Sequence, residues 1–153
     1  MQVTDIYLGL GRDRFDALLR SMSIGRLKTF QLYDRMKTRL HLQKLNSESL
    51  RKATPRIWTR IEERDEEFTE ELSQAILISH FDMIKAVLDH LSIPHEDGFF
   101  SKDTDVAALL HEGWQQKTWE AFHQVYTPAA LLFYINHLGW EVAEKKEVFV
   151  PAA

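Results

Sequence analysis

Residues 66–91, EEFTEELSQAILISHFDMIKAVLDHL, are the stretch that decides the fold class of this chain. Their apolar residues recur three, four or seven positions apart, which is the period of one face of an α-helix. The residues on this stripe are Phe68, Leu72, Ala75, Ile76, Met83, Val87 and Leu91. Residues 75–78 are all apolar, so we expect other helices to surround them. The stretch predicts a buried helix in an all-α protein.

The chain on either side repeats this pattern between recognisable boundary residues. Asp65 is a predicted N-cap, and Thr54-Pro55 is a start signal because Pro fits the first position of a helix. Pro94 and Gly139 are predicted to follow helix ends. Helices are predicted over 12–22, 24–45, 55–64, 66–91, 105–112, 114–125 and 129–138, with a short helical turn over 48–53. The sequence therefore predicts a bundle of about six or seven helices.

We expect one α-helical domain over residues 1–153. A chain of 153 residues has the ordinary size of one domain, and no low-complexity linker divides it. The first eleven residues and residues 140–153 are each expected to form a short strand or an extended arm. The architecture expected from the sequence is thus one bundle with short arms at its ends.

Composition and motifs exclude several classes of function. The chain has no Cys, which excludes thiol nucleophiles, thiolate metal sites and disulfides. It has no P-loop, dinucleotide fingerprint, GxSxG or HExxH motif. No signal peptide is visible, and the longest apolar runs are far shorter than the roughly 20 residues that span a bilayer. We expect a cytoplasmic protein that has no membrane span and no cofactor.

Charge is distributed unevenly along the chain. Residues 1–64 hold fourteen Lys and Arg against seven Asp and Glu, and residues 65–153 hold five against sixteen, which gives net charges of +7 and −11. A basic surface on segment 26–60 is what binding to a phosphate backbone requires. Tyr33 and Trp58 would be its stacking partners. The candidate nucleic-acid-binding residues are Arg26, Arg35, Arg39, Arg56 and Arg60.

The acidic counterpart is concentrated in residues 62–71, which hold seven acids and one Arg. Several of these acids lie four positions apart, where like charges destabilise a helix by a few tenths of a kcal/mol each. Their partner is either the basic segment 26–44 of the same chain or the basic half of a second copy. The second alternative, together with four Trp residues, predicts a homo-oligomer with a salt-sensitive interface.

Histidines are concentrated in the second half of the chain. Glu120 and His123 are three positions apart, which places a carboxylate and an imidazole on one helix face. Di-metal bundles use this spacing twice, whereas this sequence has it once. A mononuclear metal site would combine Glu120 and His123 with His80, His111 or His137, and His80 is the candidate we select. The alternative is that these histidines lie on the surface or at an interface.

These observations lead to three hypotheses. The first is a non-enzymatic interaction or regulatory protein that self-associates and can also bind another protein. The second is a nucleic-acid-binding protein that uses the basic segment 26–60. The third is a metal-dependent helical-bundle enzyme centred on Glu120 and His123. No motif in the sequence resembles a known family.

Overall fold

The computed structural model describes residues 2–143 and 147–152. Within those ranges the chain is all-α, with ten helices and no strand, so the predicted fold class is confirmed. The predicted count of about six or seven helices is wrong. The helices are α1 Val3–Leu10, α2 Arg12–Arg20, α3 Ile24–Thr29, α4 Leu32–Arg39, α5 Ser47–Glu62, α6 Glu66–Ser79, α7 Phe81–His90, α8 Val106–Leu109, α9 Trp114–Phe122 and α10 Pro128–Ala143.

The N-terminal segment is a helix and not the expected strand or arm. The Asp5 carboxylate accepts the Gln2 N–H at 2.7 Å, and the Asp5 N–H donates to the Gln2 carbonyl, so α1 starts with a satisfied first turn. The buried residues Val3, Ile6 and Leu10 recur three and four positions apart. This period is helical, and α1 buries the stripe by packing against α2, α5 and α6.

Two predicted long helices are each divided in the structure. The predicted helix 24–45 is broken at Gln31, whose φ of 62° is left-handed and cannot continue an α-helix. The predicted helix 66–91 is broken at His80, where φ and ψ leave the helical region. Its predicted start is confirmed, since the Asp65 carboxylate accepts a hydrogen bond from the Phe68 N–H. Apolar periodicity continued across both breaks, which is why the sequence did not reveal them.

The opposite error occurs in α5, where two predicted elements form one helix. Asn46 and Ser49 cap its start reciprocally. Thr54 does not act as an N-cap, because its hydroxyl donates to the Leu50 carbonyl within the helix. Pro55 lies inside α5, so the predicted boundary there is wrong.

Residues 2–80 form one compact unit that contains α1–α6. In this unit α2 packs on α5, and α6 packs on α1, α3, α4 and α5. The largest fully buried side chains include Tyr7, Phe15 and Phe68. The Tyr7 hydroxyl lies 2.8 Å from the Ser73 hydroxyl, which gives this phenol a hydrogen-bond partner inside the core.

Residues 81–152 form a second compact unit that contains α7–α10. Helix α10 packs against α8 and α9, and its residues 129–136 are all buried. Residues 147–152 follow without regular secondary structure, and we call them the tail. The expectation of a single domain over 1–153 stays a prediction. None of the helices in the described ranges has both the length and the apolar character needed to cross a membrane.

Candidate functional site

A groove of about 490 Å³ opens in unit 2–80 between the end of α2 and the first half of α5. Its apolar lining is formed by Leu19, Met22 and Leu50, and its charged lining by Arg20, Glu48 and Arg51. This volume lies within the range that ligand-binding clefts occupy, and an apolar floor with a few polar groups is their usual character. Ser47 and Thr54 complete the lining, and we refer to these eight residues as the groove.

Local sequence places each side chain of the groove. In α2 the apolar stripe buries Leu18 and Leu19, and Arg20 follows on the exposed side. In α5 the capping box at Asn46 fixes the first turn, which contains Glu48. Leu50 is buried one position before Arg51, which is exposed. Each helix therefore contributes an apolar residue to the floor and an arginine beside it.

The charge of the groove is positive. Arg20 and Arg51 make no ion pair with any described residue, whereas Glu48 pairs with Lys52 across one helical turn at 3.2 Å. A guanidinium presents several N–H donors in a fork that matches a carboxylate. The arrangement therefore suits a ligand that carries carboxylates beside apolar groups.

Two of the five arginines predicted to bind nucleic acid are ion-paired within unit 2–80. Arg39 bridges α4 to α6, where its guanidinium contacts the carboxylates of Glu67 and Glu71. Arg60 pairs with Asp65 at 3.0 Å and donates to the Arg39 carbonyl at 2.8 Å. The acidic run is thus partly neutralised within its own chain, by Arg39 from the basic segment 26–44 and by Arg60 from outside that segment.

The other three predicted arginines lie elsewhere on unit 2–80. Arg26 is half-buried and its guanidinium lies 3.4 Å from the Ile78 carbonyl, whereas Arg35 and Arg56 are exposed. The two predicted stacking residues have internal contacts. The Tyr33 hydroxyl accepts the Leu45 N–H at 3.2 Å, and the Trp58 ring lies 5.1 Å from that of Phe15. A nucleic-acid interface on segment 26–60 stays a prediction.

The predicted metal ligands lie in different units. Glu120 and His123 belong to unit 81–152, and His80 belongs to unit 2–80. Glu120 accepts a hydrogen bond from Gln116 at 3.1 Å, and His123 Nδ1 lies 2.9 Å from the Trp119 carbonyl. Among the described residues, no three His, Asp or Glu side chains are grouped as a metal ion would need. A metal site at Glu120, His123 and His80 stays a prediction.

Burial changes the acid–base behaviour of His80. Its ring lies 2.9 Å from the Ser21 hydroxyl. Desolvation, together with the positive charge of Arg26, lowers the pKa of His80 below its ordinary value. A neutral imidazole is the form that binds metal ions, but the hydroxyl already occupies Nε2. His80 is therefore held by its hydrogen bond as a packing residue of unit 2–80.

Another histidine forms a polar cluster that sequence reasoning missed. His95 Nε2 lies 2.6 Å from the Asp89 carboxylate, and the Gly98 N–H donates to His95 Nδ1 at 3.0 Å. Both ring nitrogens are therefore used, so the imidazole joins α7 to the following turn and is not placed to act as a base. His95 lies six positions after Asp89, and only the folded loop brings the two side chains together.

Arg20 and Arg51 were also not singled out from the sequence. They are 31 positions apart, and nothing in either helix alone distinguishes them from the other exposed arginines. No family model, curated protein or solved structure matches this chain. The shape and charge of the groove are therefore the basis on which a function can be argued.

Proposed function

We propose that this protein is a non-enzymatic interaction protein that self-associates, and that its groove receives an acidic, apolar segment of a second copy. The observation that carries the proposal is the apolar floor flanked by two arginines that have no ion-pair partner among the described residues. Buried apolar area supplies affinity in such a contact, and the charges supply orientation and specificity.

The occupant we propose is segment 103–112, DTDVAALLHE, of the second copy. It holds three acids, Asp103, Asp105 and Glu112, and no Lys or Arg. Leu109, the last residue of α8, is 42 % exposed, so it is available to enter an apolar site. The segment therefore offers both kinds of group that the groove would bind.

The net charges of the two units favour the same arrangement. Residues 2–80 hold fourteen Lys and Arg against twelve Asp and Glu, and residues 81–153 hold five against eleven. The net charges are thus +2 and −6. Opposite charges on two different surfaces accelerate the encounter of copies in the orientation that brings those surfaces together.

The polar groups of the groove suit binding better than acid–base chemistry. Glu48 is paired with Lys52, and the hydroxyl of Thr54, which also lines the groove, donates to the Leu50 carbonyl. The remaining charged groups are guanidiniums, which offer N–H donors and no acceptor. This supports an interaction role for the groove.

Sedimentation velocity at low ionic strength tests the proposal. We expect the unmodified chain to form a dimer, and the variant Arg20→Glu/Arg51→Glu to dimerise about tenfold more weakly. The matched control is Arg35→Glu/Arg56→Glu, which makes the same change in charge at exposed positions outside the groove. We expect this control to remain a dimer.

Reversing the groove charges in one variant and the charges of segment 103–112 in another tests whether this segment occupies the groove. Mixing Arg20→Glu/Arg51→Glu with Asp103→Arg/Asp105→Arg should restore the affinity of the unmodified chain, since each groove contact then has opposite charges again. A monomeric unmodified chain at high concentration, or equal losses in the groove variant and its control, would contradict the proposal.

A further inference from the structure

The tail lies against α9 and α10 of its own unit, where side-chain amides bind its main chain. The Phe149 N–H donates to Asn136 Oδ1 at 2.6 Å, and Asn136 Nδ2 donates to the Phe149 carbonyl at 3.0 Å. One side chain thus satisfies both main-chain groups of one residue. A neighbouring β-strand satisfies a hydrogen-bonded residue in the same way.

Asn136 is fixed for this role. The residue is 2 % exposed, and its Nδ2 also donates to the Leu132 carbonyl at 2.9 Å. Both donors and the acceptor of the amide are therefore used, which is what a buried amide needs to avoid a desolvation cost of about 1–3 kcal/mol. Without a peptide at this position, two of the three hydrogen bonds would be absent.

A second amide binds the tail three residues further on. The Ala152 N–H donates to Gln116 Oε1 of α9 at 3.0 Å. Val150, which lies between the two contacts, is 50 % exposed, and Val148 and Phe149 are half-buried. Asn136 and Gln116 therefore form a two-point receptor for the main chain of residues 149–152.

We propose that this receptor also binds the tail of a second copy, so that two chains join by exchanging tails. A second copy presents the same residues, so every hydrogen bond made with the chain's own tail is reproduced between chains. Exchange of an identical element is a low-cost route to a dimer, because each hydrogen bond that opens within a chain forms again between the two chains. This contact goes beyond the groove, since it uses none of the groove's residues.

The absence of Cys from the chain gives a direct test. We would prepare Lys117→Cys and Ala152→Cys chains separately, mix them, and treat the mixture with a short bismaleimide cross-linker. Lys117 is the exposed residue next to Gln116, so both receptor amides are kept. Each chain has one thiol, so every product joins two copies. The control is Ala152→Cys mixed with Arg56→Cys, whose thiol is exposed and distant from the receptor residues in sequence. We expect about ten times more mixed product than in this control, because binding of the tail raises the effective concentration of the two thiols.

Competition by a peptide shows whether Asn136 is responsible. The acetylated peptide EVFVPAA, residues 147–153, should suppress the cross-link. The same peptide with an N-methyl group on the residue equivalent to Phe149 lacks the N–H donor and should not. Equal suppression by both peptides would overturn the role of Asn136, and a mixed product no more abundant than the Arg56→Cys control would overturn the exchange.

The exchange can be separated from the proposed groove contact. The same mixture is prepared with both chains carrying Arg20→Glu/Arg51→Glu. We expect the cross-link to persist, even if the groove does not bind a second copy. Loss of the cross-link in this background would overturn tail exchange as an independent contact.

Discussion

At the scale of single residues, Gly98 has a backbone conformation that residues with a side chain rarely adopt. It follows Asp97 in the turn between Glu96 and Phe99, and its φ is +91°, where residues with a Cβ are strained. A Cβ at Gly98 would lie 3.5 Å from the Ile84 side chain, which is an ordinary contact. We therefore predict that Gly98→Ala lowers the free energy of unfolding by about 1–2 kcal/mol through backbone strain, as measured by urea denaturation.

Gly25→Ala is the matched control for this prediction. Gly25 lies within α3, has no positive φ and has open space where a Cβ would lie. The same substitution there should raise the free energy of unfolding by about 0.5–1 kcal/mol. Destabilisation of equal size at both glycines would mean that the added methyl group, and not φ, determines the effect at Gly98.

His137 should make the stability of the protein depend on pH. Its ring packs between those of Phe133 and Trp140, and burial lowers the pKa of His137 to about 4. In the unfolded chain the pKa of His is about 6.5, so below that pH the unfolded state binds a proton that the folded state does not. Stability is fully present above pH 6.5 and falls as the pH approaches 4. We predict a loss of about 2 kcal/mol at pH 5 relative to neutral pH.

The measurement is urea denaturation at several pH values, with His137→Phe as the control. This variant keeps an aromatic ring and should lose much less stability between pH 7 and 5. Burial also raises the pKa of Glu141, whose carboxylate lies 3.6 Å from His137 Nδ1. Protonation of Glu141 favours the folded state at low pH, so it offsets part of the loss. Parallel pH profiles for the two proteins would refute the assignment to His137.

At the scale of elements, α6 shows how a helix with unfavourable local charges is stabilised. Glu67 and Glu71 are four positions apart and repel each other within α6. Arg39 from α4 contacts both carboxylates, and the Arg60 guanidinium lies 4.6 Å from the Phe68 ring centre while pairing with Asp65. The acids of α6 therefore need positively charged neighbours, and the packing of α4 and α5 against α6 brings Arg39 and Arg60 beside them.

Pro55 should lower the stability of α5, and this effect can be measured. It lies inside α5 and has no N–H to donate to the Arg51 carbonyl one turn earlier. Pro55→Ala should restore that hydrogen bond and raise the free energy of unfolding by about 2 kcal/mol, after allowing for the more flexible unfolded chain. The measurement is again urea denaturation, and the neighbouring exposed substitution Arg56→Ala should change stability by less than about 0.5 kcal/mol. A destabilised Pro55→Ala variant would show that α5 depends on the proline.

At the scale of the whole molecule, the two proposed contacts between copies differ in their response to salt. The groove contact is between opposite charges, whereas the tail is held by main-chain hydrogen bonds and apolar contact. Screening shortens the Debye length from about 10 Å at 0.1 M salt to about 3 Å at 1 M. We predict that the groove association constant, from sedimentation equilibrium of a Phe149→Ala/Asn136→Leu chain, falls by about tenfold over this range.

The cross-linking yield for tail exchange should change much less over the same range of salt. It is measured in the Arg20→Glu/Arg51→Glu background, in which the groove contact is weakened. Equal salt dependence of the two measurements would show that one contact, and not two, joins the copies.

Much of the secondary structure could be predicted from the sequence, because caps and apolar periods are local. Asp65 marked the start of α6 correctly, and the spacing of Val3, Ile6 and Leu10 was already helical although an arm was expected. The breaks at Gln31 and His80 could not be predicted, since neither residue is a strong helix breaker. The backbone nevertheless leaves the helical region at Gln31 and His80, and α5 continues through Pro55.

Helical structure and the division of charge between the two halves of the chain both follow from the order of residues alone. The tertiary structure alone decided which side chains meet. Arg20 joins Arg51 in the groove, Asn136 binds Phe149 of the tail, and Arg39 is neutralised by the acids of α6. The physical reason is that burial, hydrogen bonding and ion pairing depend on distances in space between residues far apart in sequence, and periodicity within one helix does not determine those distances.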